Sequence, residues 1–302
     1  MLGLWIPVTI AAAFLQNLRS ALQKAIRGRL STTGAAYSRF LYALPLALIY
    51  LWIMTEVSGQ PLPPANTAFL VYCALGGLSQ ILFTVVLLWM FSFRSFAVGT
   101  TFSKLEVIMV AGLGAALLGD TVGPGAIAGI AMGAAGTVIL SFTETRLSPM
   151  GLMRGLGERA TAVGILCAAL LGASSVFYRG AILALESPHF MLAASYALAV
   201  ALAIQTVSMG VWFLVFDRAE LVRVVREWRR AAPVGLAGMA GSVCWFTAFA
   251  VQNAAYVRAV GQIELVFTFL ASVFVFREKV SATEYVGTGL IVAAILVIVL
   301  AA

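Results

Sequence analysis

Ten long apolar stretches dominate the chain, at about 4–26, 34–54, 66–91, 95–118, 123–142, 160–184, 189–216, 231–252, 256–276 and 281–300. Each approaches the roughly 20 residues that a helix needs to cross a bilayer core. Membrane β-strands alternate over about ten residues, whereas these stretches are twice as long and continuously apolar. The expectation is an all-α membrane protein of ten transmembrane helices. Hydrophobic residues make up 62% and charged residues 10% of the chain, against about a quarter charged in soluble domains. Too few polar side chains remain to cover a soluble surface, which argues against a soluble enzyme or a nucleic-acid-binding protein.

Helix breakers separate the stretches: 59–64 (GQPLPP), 119–124 and 186–188 (ESP). Met1 to Leu4 has no positive segment, and Gln16, Asn17 and Arg19 interrupt the first apolar run, so no cleavable signal peptide is expected. Cys73, Cys167 and Cys244 each lie inside an apolar stretch without CxxC spacing. They read as packing residues rather than as a disulfide framework or metal site, and nothing in the sequence points to a cofactor.

The net charge of +7 is distributed by topology. Odd-numbered connections carry Lys24, Arg27, Arg29, Arg94, Arg146, Arg154, Arg159, Arg218, Arg223, Arg226, Arg229, Arg230, Arg277 and Lys279, while the even-numbered ones and the tails carry only Arg258. The positive-inside rule puts the odd connections in the cytoplasm and both termini outside, in a multi-pass inner-membrane protein. The longest odd connection, 217–230 (DRAELVRVVREWRR), has apolar residues at helical spacing among its arginines. It reads as a short helix at the anionic lipid surface, anchored by Trp228.

The halves 1–150 and 151–302 repeat one another. A shift of 158 places Glu106 on Glu264, Ala97 on Ala255, Val122 on Val280, Gly129 on Gly287 and Ala135 on Ala293, with Asp120 meeting Glu278 at the same turn. Shifts of 163 and 155 bring Ser79 onto Ser242 and Lys24 onto Arg179. Five helices is an odd number, so the second copy is inverted relative to the first. Inverted repeats suit alternating access, because exchanging the conformations of the halves moves the opening from one side to the other.

The segment 106–120 (EVIMVAGLGAALLGD) resembles the EamA-type signature of the drug/metabolite transporter superfamily, with a Glu early in the helix and an acidic residue at the following turn. The segment 264–278 (ELVFTFLASVFVFRE) repeats it, and Tyr37, Arg39 and Phe40 are similar to the family's arginine–aromatic start of the second helix. The resemblance spans the whole chain and implies a ten-helix inverted-repeat transporter. Val107 and Leu265 stand where members commonly have Pro. Ten-helix members usually keep their termini in the cytoplasm, the reverse of what the arginines imply here.

Charges in a bilayer core are costly, so each needs a reason. Glu106 and Glu264 fall about 11 and 8 residues into their stretches, near the midplane. They suggest proton binding and release, or pairing with a cationic substrate group; the alternative is a carboxylate held by a neighbouring Lys or Arg. Lys104, with Gln262 as its counterpart, points to nearly the opposite side of its helix from Glu106. Gln16, Arg19, Ser20 and Gln23 make a polar stripe on the first helix, answered in the sixth by Ser174, Ser175 and Tyr178. Such stripes face a wet cavity or act as hydrogen-bonding glue between helices. Gln80, Trp245 and Phe246 are further cavity candidates. Arg39 and Arg179 lie near helix ends and read as snorkelling side chains. Gly125, Gly129 and Gly133 form a ridge for close packing with the tenth helix or a second protomer.

These features favour a secondary transporter of a small metabolite or drug-like compound, coupled to protons through its glutamates, with amine-containing or amino-acid-like substrates. It would work among membrane lipids as a monomer or homodimer. One alternative is an exchanger of anionic or phosphorylated metabolites held by Arg19 and Lys104. Another class is a structural or assembly protein, or an intramembrane enzyme. Against an enzyme, His189 is the sole histidine and GxSxG, HExxH and paired-aspartate motifs are absent.

Overall fold

The computed structural model describes residues 3–26, 28–90, 93, 96–145, 150, 157–274, 277 and 280–302. Arg27, Arg94, Arg146, Arg154, Phe276, Glu278 and Lys279, used above for orientation and for the repeat, lie outside the described residues. The helices are α1 Trp5–Ile26, α2 Thr32–Leu41, α3 Leu44–Ser58, α4 Thr67–Met90, α5 Phe96–Ser103, α6 Glu106–Leu118 and α7 Pro124–Thr145. The second half adds α8 Arg159–Ala184, α9 Phe190–Phe216, α10 Arg218–Arg226, α11 Trp228–Val251, α12 Ala254–Gly261, α13 Ile263–Phe274 and α14 Ala282–Ala301. There is no strand among the described residues.

Among the described residues, eight segments are long and apolar enough to cross a membrane: α2 with α3, α4, α7, α8, α9, α11, α12 with α13, and α14. The protein is therefore a multi-pass membrane protein. The first and fourth apolar stretches do not reach that standard. Gln16, Asn17, Arg19, Gln23 and Lys24 lower the hydropathy of α1, and a turn at Lys104–Leu105 cuts the fourth stretch into α5 and the short α6.

Local chemistry sets the ends. Gly59 (φ 61°) and Gly119 (φ 67°) close α3 and α6 in the left-handed conformation that glycine adopts without a Cβ clash. The Ser31 hydroxyl accepts from Gly34 N–H at 3.0 Å to cap α2. Ser281 and Glu284 form a reciprocal capping box at the start of α14.

The chain forms two compact units, Met1–Leu78 with Phe177–Gln252 and Ser79–Val176 with Asn253–Ala302. Each unit draws from both halves of the sequence. In the first, α11 packs along α1 and α9 on α3. There the amphipathic helix α10 is docked by Glu220, whose carboxylate accepts from Ser31 N–H at 2.6 Å and from Arg223 at 2.6 Å. Tyr42 Oη donates to Val224 O at 2.9 Å and completes the attachment. On the outer side of α10, Val222 and Val225 are exposed together with arginines, and Trp228 is exposed at the start of α11.

In the second unit α7 lies along α14, as the glycine ridge predicts. A methyl group at Gly129 would come within 2.5 Å of Ile298 Cγ1, and one at Gly125 within 2.9 Å of Ala301 Cβ. Backbones this close bring many atoms into van der Waals contact, which is what holds helices together where burial from water contributes nothing.

Candidate functional site

The second unit brings the two glutamates to one basic residue. Glu106 is not mid-helix: it is the first residue of α6, directly after the Lys104–Leu105 turn. Glu264 is the second residue of α13, after the turn at Gln262. Both halves therefore break their helix at the positions that the 158-residue repeat equates. A carboxylate in the first turn of a helix is favoured by the unpaired N–H groups and the positive end of the dipole.

Arg258, on α12, donates from a guanidinium nitrogen to Glu106 Oε1. Both residues are buried. The other carboxylate oxygen of Glu106, Oε2, is buried without a hydrogen-bond partner among the described residues. Glu264, half-buried, interacts electrostatically with the same Arg258. Arg258 is thus bonded to Glu106 and lies near enough to Glu264 to feel its charge.

The position of α12 is held by its own start. Asn253 accepts from Ala255 N–H at 2.8 Å as the helix cap and donates to Thr121 O at 3.4 Å. Gly123 N–H donates to Tyr256 Oη at 3.2 Å. These bonds tie α12 to the α6–α7 turn and aim Arg258 at Glu106. Gly172 of α8 faces the first turn of α6, where a methyl group would lie 3.3 Å from Glu106 O. Gln262 lies against Gly133 of α7: a methyl group there would be 2.5 Å from its Oε1. Lys104 occupies the turn before Glu106, half-buried, and Gln80 sits half-buried on α4 with its carbonyl accepting from Thr84 Oγ1 at 3.1 Å.

The first unit holds the remaining candidates. Arg19 of α1 and Arg39 of α2 both flank Gly238 of α11: a methyl group at Gly238 would lie 3.4 Å from Arg19 Cδ and 3.8 Å from Arg39 Cβ. The two charges are close enough to repel one another, and Arg39 also interacts with Tyr178. Tyr178 Oη accepts from Gln205 Nε2 at 3.0 Å, and its ring lies 4.7 Å from that of Phe246. Trp245 stacks on Phe249, at 5.9 Å between ring centroids. Gln23 Nε2 donates to Ala35 O at 3.0 Å, tying α1 to α2, and Ser20 Oγ donates to Gln16 O at 2.8 Å within α1.

Three expectations change. Arg258, counted from sequence as a connection residue, is a buried helical residue and the partner of Glu106. Arg179 does not snorkel: its guanidinium donates to Phe249 O at 2.8 Å and Gln252 O at 2.6 Å, carbonyls at the C-terminal end of α11. Glu106 and Glu264, expected well inside continuous helices, instead follow helix breaks at Lys104–Leu105 and Gln262. Arg258 had a readable signal, being a charge within the apolar stretch 256–276, where an ionisable group needs a partner.

Residues 159–300 match the family model described as the EamA-like transporter family. No curated protein matches the chain. A solved structure, titled only as the crystal structure of a protein, is similar with a TM-score of 0.65 at 17% sequence identity, covering 97% of this chain and 95% of that one. At that identity the likeness concerns the fold alone. By that match, residues 159–300 are EamA-like, of the drug/metabolite transporter superfamily.

Proposed function

We propose that the protein is a proton-coupled secondary transporter of a small compound, with ten spans arranged as inverted repeats over 1–150 and 151–302 and operating by alternating access. The family match supports transport. The observation that carries the coupling is the buried Glu106–Arg258 pair, with the charge of Glu264 acting on the same guanidinium. A nearby cation favours the charged carboxylate, and burial without one favours the protonated form. With one guanidinium for two acids, one carboxylate stays ionised while the other takes up or releases a proton. Transfer of Arg258 between them would link protonation to movement of α12 relative to α6.

The broken helices at Glu106 and Glu264 support a site built on half-helix N-termini, the arrangement that discontinuous transporter helices use. The favoured substrate is amino-acid-like. Its amine would pair with one of the two carboxylates. The arginine bias supports termini outside the cytoplasm in the inner membrane.

The test is uptake of a panel of radiolabelled amino acids and amines into proteoliposomes, with and without an inside-alkaline pH gradient. Accumulation that requires the gradient and fails in Glu264→Gln is the expected result. Uptake unchanged by collapse of the gradient, or retained with full pH dependence in both Glu106→Gln and Glu264→Gln, would overturn proton coupling through these residues.

A further inference from the structure

Helix α10 runs directly between the spans α9 and α11, with only Asp217 and Glu227 at its joins. A helix joined at both ends to spans lies at the edge of the bilayer, and the helical period gives it two unlike faces. Glu220 and Val224, four residues apart, are buried on the inner face. Val224 belongs to a cluster with Ile26, Leu30, Tyr37 and Phe213, and Gly34 leaves the space that the Glu220 carboxylate fills. Arg218, Val222 and Arg226, again four apart, share the opposite face with Val225, and all four are exposed. Trp228 and Arg229 continue the exposed surface into α11, the Arg229 guanidinium carbon lying 5.5 Å from the centroid of the Trp228 ring.

The arginines fall into two sets. Arg223 is bonded to Glu220, and Glu227 takes Arg29 and Arg230. Asp217, the third acid of the segment, caps α10 by accepting from Glu220 N–H. Among the described residues, no carboxylate pairs with Arg218, Arg226 or Arg229. Arg218 turns its Nε to Leu214 O at 2.6 Å. That leaves the charges of Arg226 and Arg229 open, beside Val222, Val225 and Trp228.

Valine and indole gain from leaving water, while a guanidinium needs water or an anion. Free phosphate would serve only the arginines. The boundary of an anionic leaflet serves both, with acyl chains for the apolar groups and phosphate for the cations. We infer that the outer face of α10, with Trp228 and Arg229, is a binding surface for anionic phospholipid. Arg226 and Arg229 hold the lipid phosphate, and the chains cover Val222, Val225 and Trp228. Glu220 and Tyr42 fasten the inner face to the two ends of α2, so lipid on the outer face stabilises the packing of the first unit. The surface is independent of the proton-coupling scheme.

The experiment measures thermal unfolding of the full chain in neutral detergent. Dioleoylphosphatidylglycerol is added to the micelles, with dioleoylphosphatidylcholine as the neutral comparison. Sodium phosphate and poly-L-glutamate at matched ionic strength are the free-anion and acidic-polymer arms. Phosphatidylglycerol, a few-fold above its Kd, should raise the melting temperature by about 2–4 °C over phosphatidylcholine. Arg226→Gln/Arg229→Gln should remove most of that rise, and Val222→Ser/Val225→Ser should reduce it. Arg226→Lys/Arg229→Lys should keep most of it, because an ammonium still attracts phosphate. Lys24→Gln/Arg159→Gln changes two exposed cations elsewhere, with the same loss of net charge, and should keep the rise. Each variant is compared with itself in phosphatidylcholine, so a change in basal stability does not enter. Should the Arg226/Arg229 Gln pair fail to fold, the serine pair decides by the same comparison. The assignment is overturned by no lipid rise in the parent, by a rise that survives in the deciding pair, or by an equal loss in Lys24→Gln/Arg159→Gln. An equal rise from phosphate or from poly-L-glutamate also overturns it, in favour of a free-anion site or an acidic protein partner.

Discussion

The interiors of the two units are opposite in charge logic. In the second, the buried cation Arg258 has two carboxylates within reach, one of them bonded to it. In the first, Arg19 and Arg39 both flank Gly238, and the acids of that unit occupy helix ends and α10. The same residue type therefore does different work. Removing a cation bonded to a buried carboxylate leaves that charge stranded. The first unit instead sets two arginines on one glycine of a neighbouring helix, Arg39 with its guanidinium carbon 4.6 Å from the centroid of the Phe40 ring.

The contrast is tested most severely at Arg258. Replacing it with Met leaves the Glu106 carboxylate buried without its donor, which typically costs about 3–5 kcal/mol when one partner of a buried pair is removed. Arg258→Met should lower the melting temperature in detergent by several degrees, and the double variant Arg258→Met/Glu106→Gln should recover much of the loss. A single variant as stable as the parent would mean that the pair holds nothing together.

The opposite sign is expected at Arg39. Arg19 is near enough to repel the Arg39 guanidinium, and removing one of the two charges takes that repulsion away. Arg39→Gln should therefore melt at or a few degrees above the parent. A fall like that of Arg258→Met would show that Arg39 completes a structural cluster of its own, and the two units would no longer differ in kind.

The sequence carried the scaffold well because lipid imposes a simple code. Runs of about twenty apolar residues, Gly59 and Gly119 at their ends, and the Gly125–Gly129–Gly133 ridge are each local patterns with one physical meaning. The paired glutamates were legible for a similar reason: the repeat equates them, and buried charges are rare. What stayed hidden was pairing across the chain. Arg258 and Glu106 are 152 residues apart, and no periodicity links them. The helix breaks at Lys104–Leu105 and Gln262 were equally hidden: no Pro or Gly stands at the first, and at the second the lone Gly261 lies inside an apolar run, where one Gly does not by itself end a helix. Arg179 looked peripheral because helix position alone cannot tell a side chain that reaches headgroups from one that turns inward. The polar stripe of α1 also divides in the folded chain. Gln23 is engaged as a tie to α2, while Arg19 flanks Gly238.

The smallest effect belongs to an acid outside the spans, and it sharpens the comparison by contrast with Glu106. Glu227, between α10 and α11, accepts from Arg230 at 2.8 Å and pairs with Arg29 at 3.7 Å. The Arg230 hydrogen bond, with the charges of Arg230 and Arg29, holds its carboxyl below the usual range. A depressed carboxylate contributes stability above its unfolded pKa of about 4.3, and that contribution is lost as the pH falls through the folded value. Water and salt screen an exposed pair, so little is expected from it. Glu227→Gln should differ only slightly from the parent at pH 7, and the difference should vanish below about pH 4 and shrink in molar salt. Melting temperatures at the two pH values, in low and high chloride, measure it. A large loss at pH 7 that persists in high salt would place Glu227 in a dry, structural cluster like that of Glu106, and would dissolve the distinction between an acid that closes a buried site and one that rests on the surface.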